Sequence, residues 1–130
     1  LALRRELCNG NARALAVLDT LAKRIGWRWP QRVPKGEGWG IAWCDGFETF
    51  SALAVHVAVK DRRIAIKRMV CVYEQGQTVN PNQSEAQAQG GLIDGLAQSF
   101  FGEVTLDKGR VQQGNLHDYP LWTMALTPPK

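Results

Sequence analysis

The sequence has 130 residues, 45% of them hydrophobic and 22% charged, which fits one globular core and excludes a disordered tail. No apolar run approaches the roughly 20 residues needed to cross a bilayer, and the chain opens without a secretory leader pattern, so no membrane span is expected. The formal net charge of +4 favours acidic partners, but the basic residues are spread along the chain, so charge alone assigns no function.

The run Leu1 to Leu7 reads as helix entered partway through. Asn9 or Asn11 can cap a following helix whose apolar positions Leu15, Leu18, Ala22 and Ile25 recur at spacings of three and four, with Gly26 placed to end it. Residues 1–26 are therefore expected as a helical lead-in. Residues 27–46 are rich in Gly, Pro and Trp, from Trp27-Arg28-Trp29-Pro30 to Gly36, Gly38 and Gly40, and predict a long turning connection.

Residues 47–130 read as a sheet-and-helix unit. From Phe50 to Lys60 the residues alternate, with Leu53, Val55, Val57 and Val59 on one face and Ala52, Ala54, His56 and Ala58 on the other, the period of a strand. A polar turn, Lys60-Asp61-Arg62-Arg63, leads into a second β-branched run, where Ile64, Ile66, Val70 and Val72 share a face interrupted by Arg68; the two runs predict an antiparallel hairpin. Asn80-Pro81 then starts a helix whose apolar pairs Leu92/Ile93, Leu96/Ala97 and Phe100/Phe101 form one stripe. Gly90, Gly91 and Gly95 cost that helix about 1 kcal/mol each against Ala, so a close neighbour that side chains would exclude is expected. A short strand from Glu103 to Leu106, a Lys108-Gly109 turn and an extended run from Arg110 follow, and Pro128-Pro129-Lys130 ends the chain. The fold class is α+β: a hairpin-based antiparallel sheet covered by the helix near residues 83 to 101.

Cys8, Cys44 and Cys71 are odd in number and widely spaced, which fits neither a disulfide framework nor a CxxC metal site, so plain thiols are expected. His56, on the small-residue face of its strand, reads as a structural histidine. His117 and Asp118 are neighbours in a stretch read as extended, where they would point apart, and are not expected to act together. No catalytic residue and no metal ligand is assigned.

Three stretches in fixed order resemble one family. They are Cys71-Val72-Tyr73-Glu74-Gln75-Gly76-Gln77-Thr78-Val79-Asn80-Pro81, then Ala86-Gln87-Ala88-Gln89-Gly90-Gly91-Leu92-Ile93-Asp94-Gly95-Leu96, then Gly102 to Leu106 with Gly109-Arg110-Val111 and Asn115-Leu116-His117-Asp118-Tyr119-Pro120-Leu121. The second is similar to the Gln-x-Glu-Gly-Gly/Ala helix of the molybdopterin-binding large subunits in the xanthine dehydrogenase and aldehyde oxidase family. The His-Asp-Tyr-Pro-Leu wording, and Ile25-Gly26-Trp27 where relatives have an Ala-Gly-Trp-like helix end, resemble the isoquinoline 1-oxidoreductase and bacterial aldehyde dehydrogenase branch. Glu74 stands where that family usually has Asp, and Gln89 where it has Glu.

The resemblance implies a fragment of the cofactor-binding domain of an oxidoreductase, with molybdopterin bound in the intact enzyme and none expected on this segment. Gln87 matches a cofactor contact, and Gly90 and Gly91, three and four residues on, share its face; for the two glycines the helix-packing role is weighed against ligand contact. The family's Gly-x-Gly-Glu stretch, which carries its general base, does not occur in these residues and would lie downstream. The implied partners are the rest of the large subunit and an iron-sulfur subunit; localisation stays open, since related enzymes occur in periplasm, at membranes and in cytoplasm. Two other readings stand beside this one: a nucleic-acid module using Trp27-Arg28-Trp29 with Arg32 and Lys35, and a segment that self-assembles through exposed apolar surface.

Overall fold

The structure, a computed structural model, describes residues 1–28 and 32–128. Trp29 and Pro30 of the Trp-rich stretch, and the Pro129-Lys130 end, lie outside the described residues. The chain forms two compact units that meet between Thr78 and Val79. That boundary falls inside the stretch expected as one 47–130 unit.

The first unit contains helices α1 (Ala2–Leu7) and α2 (Ala12–Ile25) and strands β1 (Glu37–Gly46), β2 (Thr49–Lys60) and β3 (Arg63–Glu74). The strands form one antiparallel sheet in the order β1-β2-β3. The 27–46 connection is thus only half loop. Its second half is β1, which the glycines conceal in sequence: Gly38, Gly40 and Gly46 alternate with Trp39, Ile41 and Trp43, so small residues occupy one face and large apolar residues the other.

Helix α2 begins as its sequence predicts, with Asn11 as the cap: its side-chain oxygen accepts from the Ala14 amide at 3.0 Å. It ends at Gly26, which takes the left-handed conformation at φ 61°. The Trp27 amide then reaches back to the Ala22 carbonyl at 2.8 Å. Between these caps Ala14, Val17, Leu18 and Leu21 are buried, spaced at i, i+3, i+4 and i+7.

That stripe rests on the sheet, against Phe50, Ala52 and Ala54 of β2, with Trp39, Ile41, Trp43, Val70 and Val72 packed around them. Within this unit the helix that covers the sheet is α2. The buried strand face is the alanine face; Leu53, Val55, Val57 and Val59 lie on the other. Small side chains on β2 let α2 approach closely, and the larger ones bound the seat from β1 and β3.

One arginine ties this arrangement together. Arg13, in the first turn of α2, donates from Nε to Glu74 Oε2 at 2.7 Å and from Nη2 to the Glu48 carbonyl at 2.9 Å. Its guanidinium also lies 4.8 Å from the centre of the Phe50 ring. Arg5 pairs with Asp19, holding α1 to α2. Both hairpins turn on two residues with positive φ, Phe47-Glu48 and Asp61-Arg62, the conformation that matches sheet twist but that side chains resist. In β3 the register slips opposite His56 and Val57, leaving Lys67 as an extra residue, and this bulge reverses the facing of the strand. Ile64 and Ile66 therefore lie on the face of Val57 and Val59, whereas Arg68, Val70 and Val72 lie on the alanine face, and the four apolar residues do not share one face as expected.

The second unit contains α3 (Pro81–Phe101), the short strands β4 (Leu106–Asp107) and β5 (Arg110–Val111) and a 3-10 turn, Met124–Leu126. The expected strand Glu103 to Leu106 shortens to its last residue. Thr105 is instead held by Gln113, whose side-chain oxygen accepts from the Thr105 amide at 2.9 Å. The Lys108-Gly109 turn forms as expected, with both residues at positive φ.

Replacing Leu18 by Ala removes the middle of the α2 stripe. It should lower the urea-unfolding free energy by about 2–5 kcal/mol; a loss below about 1 kcal/mol would mean that Leu18 does not anchor this core.

Candidate functional site

Helix α3 carries the residues to which the resemblance assigns cofactor contact. Asn80 caps it, accepting from the Gln83 amide at 3.2 Å, and Pro81 occupies the first turn, where its missing N–H costs nothing. No acidic side chain stands in that turn to offset the positive end of the helix. Within the helix, Gln89 donates to Glu85 at 2.7 Å and Gln98 to Asp94 at 2.8 Å, pairs four residues apart that support helix locally.

Gln83, Ala86, Gln87, Gly90 and Gly91 line one shallow concavity of about 460 Å³ on the side of α3. The sequence pattern singles out all but Gln83 and Ala86, which stand four residues before Gln87 and Gly90 respectively and so extend the same face. Gln87 is exposed, and its amide makes no hydrogen bond among the described residues, so both its donor and its acceptor stand free. A Cβ added at Gly90, Gly91 or Gly95 would meet nothing within 4 Å. The close neighbour expected from these glycines is thus not present among the described residues, and the face they pave is open.

The donor set suits a flat heterocycle of mixed donors and acceptors: two amide side chains, a helix N-terminal half and a glycine surface that lets a ring approach. It forms one wall and encloses nothing. No group of three or more His, Cys, Asp or Glu among the described residues is arranged to hold a metal.

The remaining candidates have structural partners. Glu74 accepts from the Gly76 amide at 2.8 Å as well as from Arg13, so this carboxylate closes the turn after β3 and anchors α2. His56 stacks on Trp39 with ring centres 4.8 Å apart, and its Nε2 lies 2.8 Å from Glu37 Oε2 without an aligned hydrogen bond. His117 and Asp118 do approach, at 3.6 Å, because their segment turns and is not extended. Asp118 is already engaged: it accepts from the Gly114 amide at 2.7 Å and the Asn115 amide at 2.9 Å, and these two N–H groups hold its carboxyl below the usual range. The three cysteines are free thiols, Cys8 buried, Cys71 half-buried and Cys44 exposed, and desolvation pushes the Cys71 thiol up.

With this geometry in view, comparison with known proteins places the chain. Residues 42–128 match the molybdopterin cofactor-binding domain, and the chain belongs to that family. It is 30% identical over 123 residues to the isoquinoline 1-oxidoreductase subunit beta of Brevundimonas diminuta, covering 92% of this chain and 16% of that protein. Over 82 residues it is 34% identical to the putative xanthine dehydrogenase molybdenum-binding subunit of Escherichia coli strain K12, with 62% of this chain and 11% of that one covered. It is also 25% identical over 128 residues to the nicotine 6-hydroxylase large subunit of Paenarthrobacter nicotinovorans, again with 92% and 16% covered. The chain therefore spans about one sixth of the length of the first and third of these relatives.

Two measurements check the surroundings of the site. A thiol-reactive label followed by mass spectrometry should modify Cys44 first and Cys8 last; early labelling of Cys8 would contradict its burial. Because the Asp118 carboxyl is held low in the folded chain, its contribution is present above the unfolded carboxylate range and is lost as pH falls through the lowered value. The Gly114 and Asn115 amide resonances should move together over that acid step, and amides insensitive to it would break the assignment.

Proposed function

We propose that this chain supplies one wall of the molybdopterin site in the large subunit of a molybdenum hydroxylase, and that it is inactive apart from the rest of that subunit. The observation that carries this reading is the free amide of Gln87, standing on an exposed face that Gly90 and Gly91 leave open, within the family's domain. Gln87, with Gln83 beside it, would hold the edge of the pterin through paired donor and acceptor contacts, and the glycines would let the ring system lie close to the helix. When bound, the cofactor supplies the oxidation chemistry, in which an oxygen from water enters a C–H bond. This chain's residues bind and orient; the proton-transfer group belongs to another part of the subunit.

The substrate class follows the relatives. Isoquinoline, xanthine and nicotine, as their names print, are nitrogen heterocycles, which favours an N-heterocycle over an aldehyde. The relatives' names also describe subunits of larger enzymes, which supports other subunits as partners; an iron-sulfur subunit among them rests on the family resemblance alone. No helix among the described residues is long and apolar enough to cross a membrane.

In the full-length subunit, Gln87→Ala should lower the molybdenum content of purified enzyme severalfold, as loss of a supporting polar contact does at metal sites. The 130-residue chain purified alone should release no pterin fluorescence on oxidative denaturation. Wild-type molybdenum content in the variant would remove Gln87 from the site, and stoichiometric pterin on the isolated chain would remove the need for the rest of the subunit.

A further inference from the structure

The end of the β2–β3 hairpin carries charge that nothing among the described residues answers. Residues 60–68 hold five cations, Lys60, Arg62, Arg63, Lys67 and Arg68, against one acid, Asp61. None of the five has an acid within ion-pair reach among the described residues. Lys60 and Arg63 are direct partners on the last rung of the ladder, so two like charges face each other where each such pair destabilises a sheet. The bulge adds Lys67 to the same rim. Together Ala58, Lys60, Asp61, Arg63, Ala65 and Lys67 line a concavity of about 660 Å³, floored by the two alanines.

Cations and a bulge on an edge strand also guard against strand addition. That role does not account for this cluster. Lys60 belongs to β2, the central strand, and on the face that carries Lys60 and Arg63 the ladder pairs Ala58 with Ala65, while Val59 and Ile64 point to the other face. A tip built only to repel other chains would not set an apolar floor between its charges.

We propose that the hairpin end is a docking surface for an acidic polypeptide, which lies over the Ala58·Ala65 floor and sets carboxylates against Lys60, Arg63 and Lys67. An apolar contact within a charged rim is the anatomy of a protein interface. Nucleic acid fits less well: positions 58–68 hold no aromatic ring on which a base could stack, and the Asp61 carboxylate interrupts the positive rim. The two-residue turn holds the cations on a short ladder, so little order is lost on binding. This surface is independent of the cofactor reading, because it shares no residue with the α3 concavity.

The test uses the full chain and a labelled synthetic peptide of alternating Glu and Leu, followed by fluorescence anisotropy at low ionic strength. An oligonucleotide of equal charge and inorganic pyrophosphate serve as competing probes. The peptide should bind, its affinity should fall with salt, and Lys60→Glu with Arg63→Glu and Lys67→Glu should weaken it at least tenfold. A neutral set, Lys60→Gln, Arg63→Gln and Lys67→Gln, should give a smaller loss with unchanged circular dichroism, which covers misfolding of the acidic set. Ala65→Glu, which puts a carboxylate on the floor of the concavity, should also weaken binding. A charge-matched control, Lys35→Glu, Lys108→Glu and Arg110→Glu, should change affinity by less than about threefold. An equal loss in the control, tighter binding of the oligonucleotide or pyrophosphate than of the peptide, or no peptide binding by the wild-type chain would each overturn the proposal.

Discussion

The seat of α2 on the alanines of β2 is the contact on which the first unit depends. All eight buried apolar residues of the described chain belong to it or to its margin: Cys8, four residues of α2, and Phe50, Ala52 and Ala54. Leu18 and Leu21 are fully covered because the strand beneath them offers methyl groups in place of branched side chains. Arg13 then sets the angle of the helix, since one guanidinium engages the end of β3, the β1–β2 turn and the Phe50 ring. Arg13 lies 35 residues from Glu48 and 61 from Glu74 in sequence, so the pattern of any one stretch gives no sign of the contact.

This geometry explains which parts of the fold were legible in the sequence. The α2 helix, the β2–β3 hairpin and the start of α3 each carry a local signal, namely Asn11 with Gly26, a charged two-residue turn between alternating runs, and Asn80-Pro81. Strand β1 was hidden because glycine is a turn residue on average, whereas here every second position in β1 needs only to be small. Which face of β2 is buried is not legible in the sequence for a related reason. Hydrophobicity ranks Leu53 and Val55 above Ala52 and Ala54, but a helix packs closest where side chains are short, and only the tertiary contact decides between the two faces. The His117-Asp118 pair was missed because Asp118 bends its own segment by accepting two backbone amides.

The candidate site was legible in a different way. Spacing puts Gln87, Gly90 and Gly91 on one helical face, and the structure opens that face, but spacing alone describes a solvent-exposed glutamine equally well. What singles out Gln87 is the ordered resemblance of the surrounding stretches. Gln83 could have been found by the same rule that groups Gln87 with Gly90 and Gly91, extended one turn toward the N-terminus.

The two units are stabilised unequally, and the inequality bears on the proposed function. The first has a buried core; in the second no residue is buried, and α3 relies on its cap, its i, i+4 pairs and an aromatic cluster of Phe100, Phe101 and Trp122 near its C-terminal end. Three glycines weaken the middle of that 21-residue helix, and helices of this length are marginal in water without packing. On the proposed reading, the element that meets the cofactor is thus the one with least stability of its own. Anything that binds the ordered helix and not the frayed one stabilises it by mass action. Enclosure by the rest of the subunit and contact with the pterin would therefore act on the same helix in the same direction, and loss of either would weaken the other.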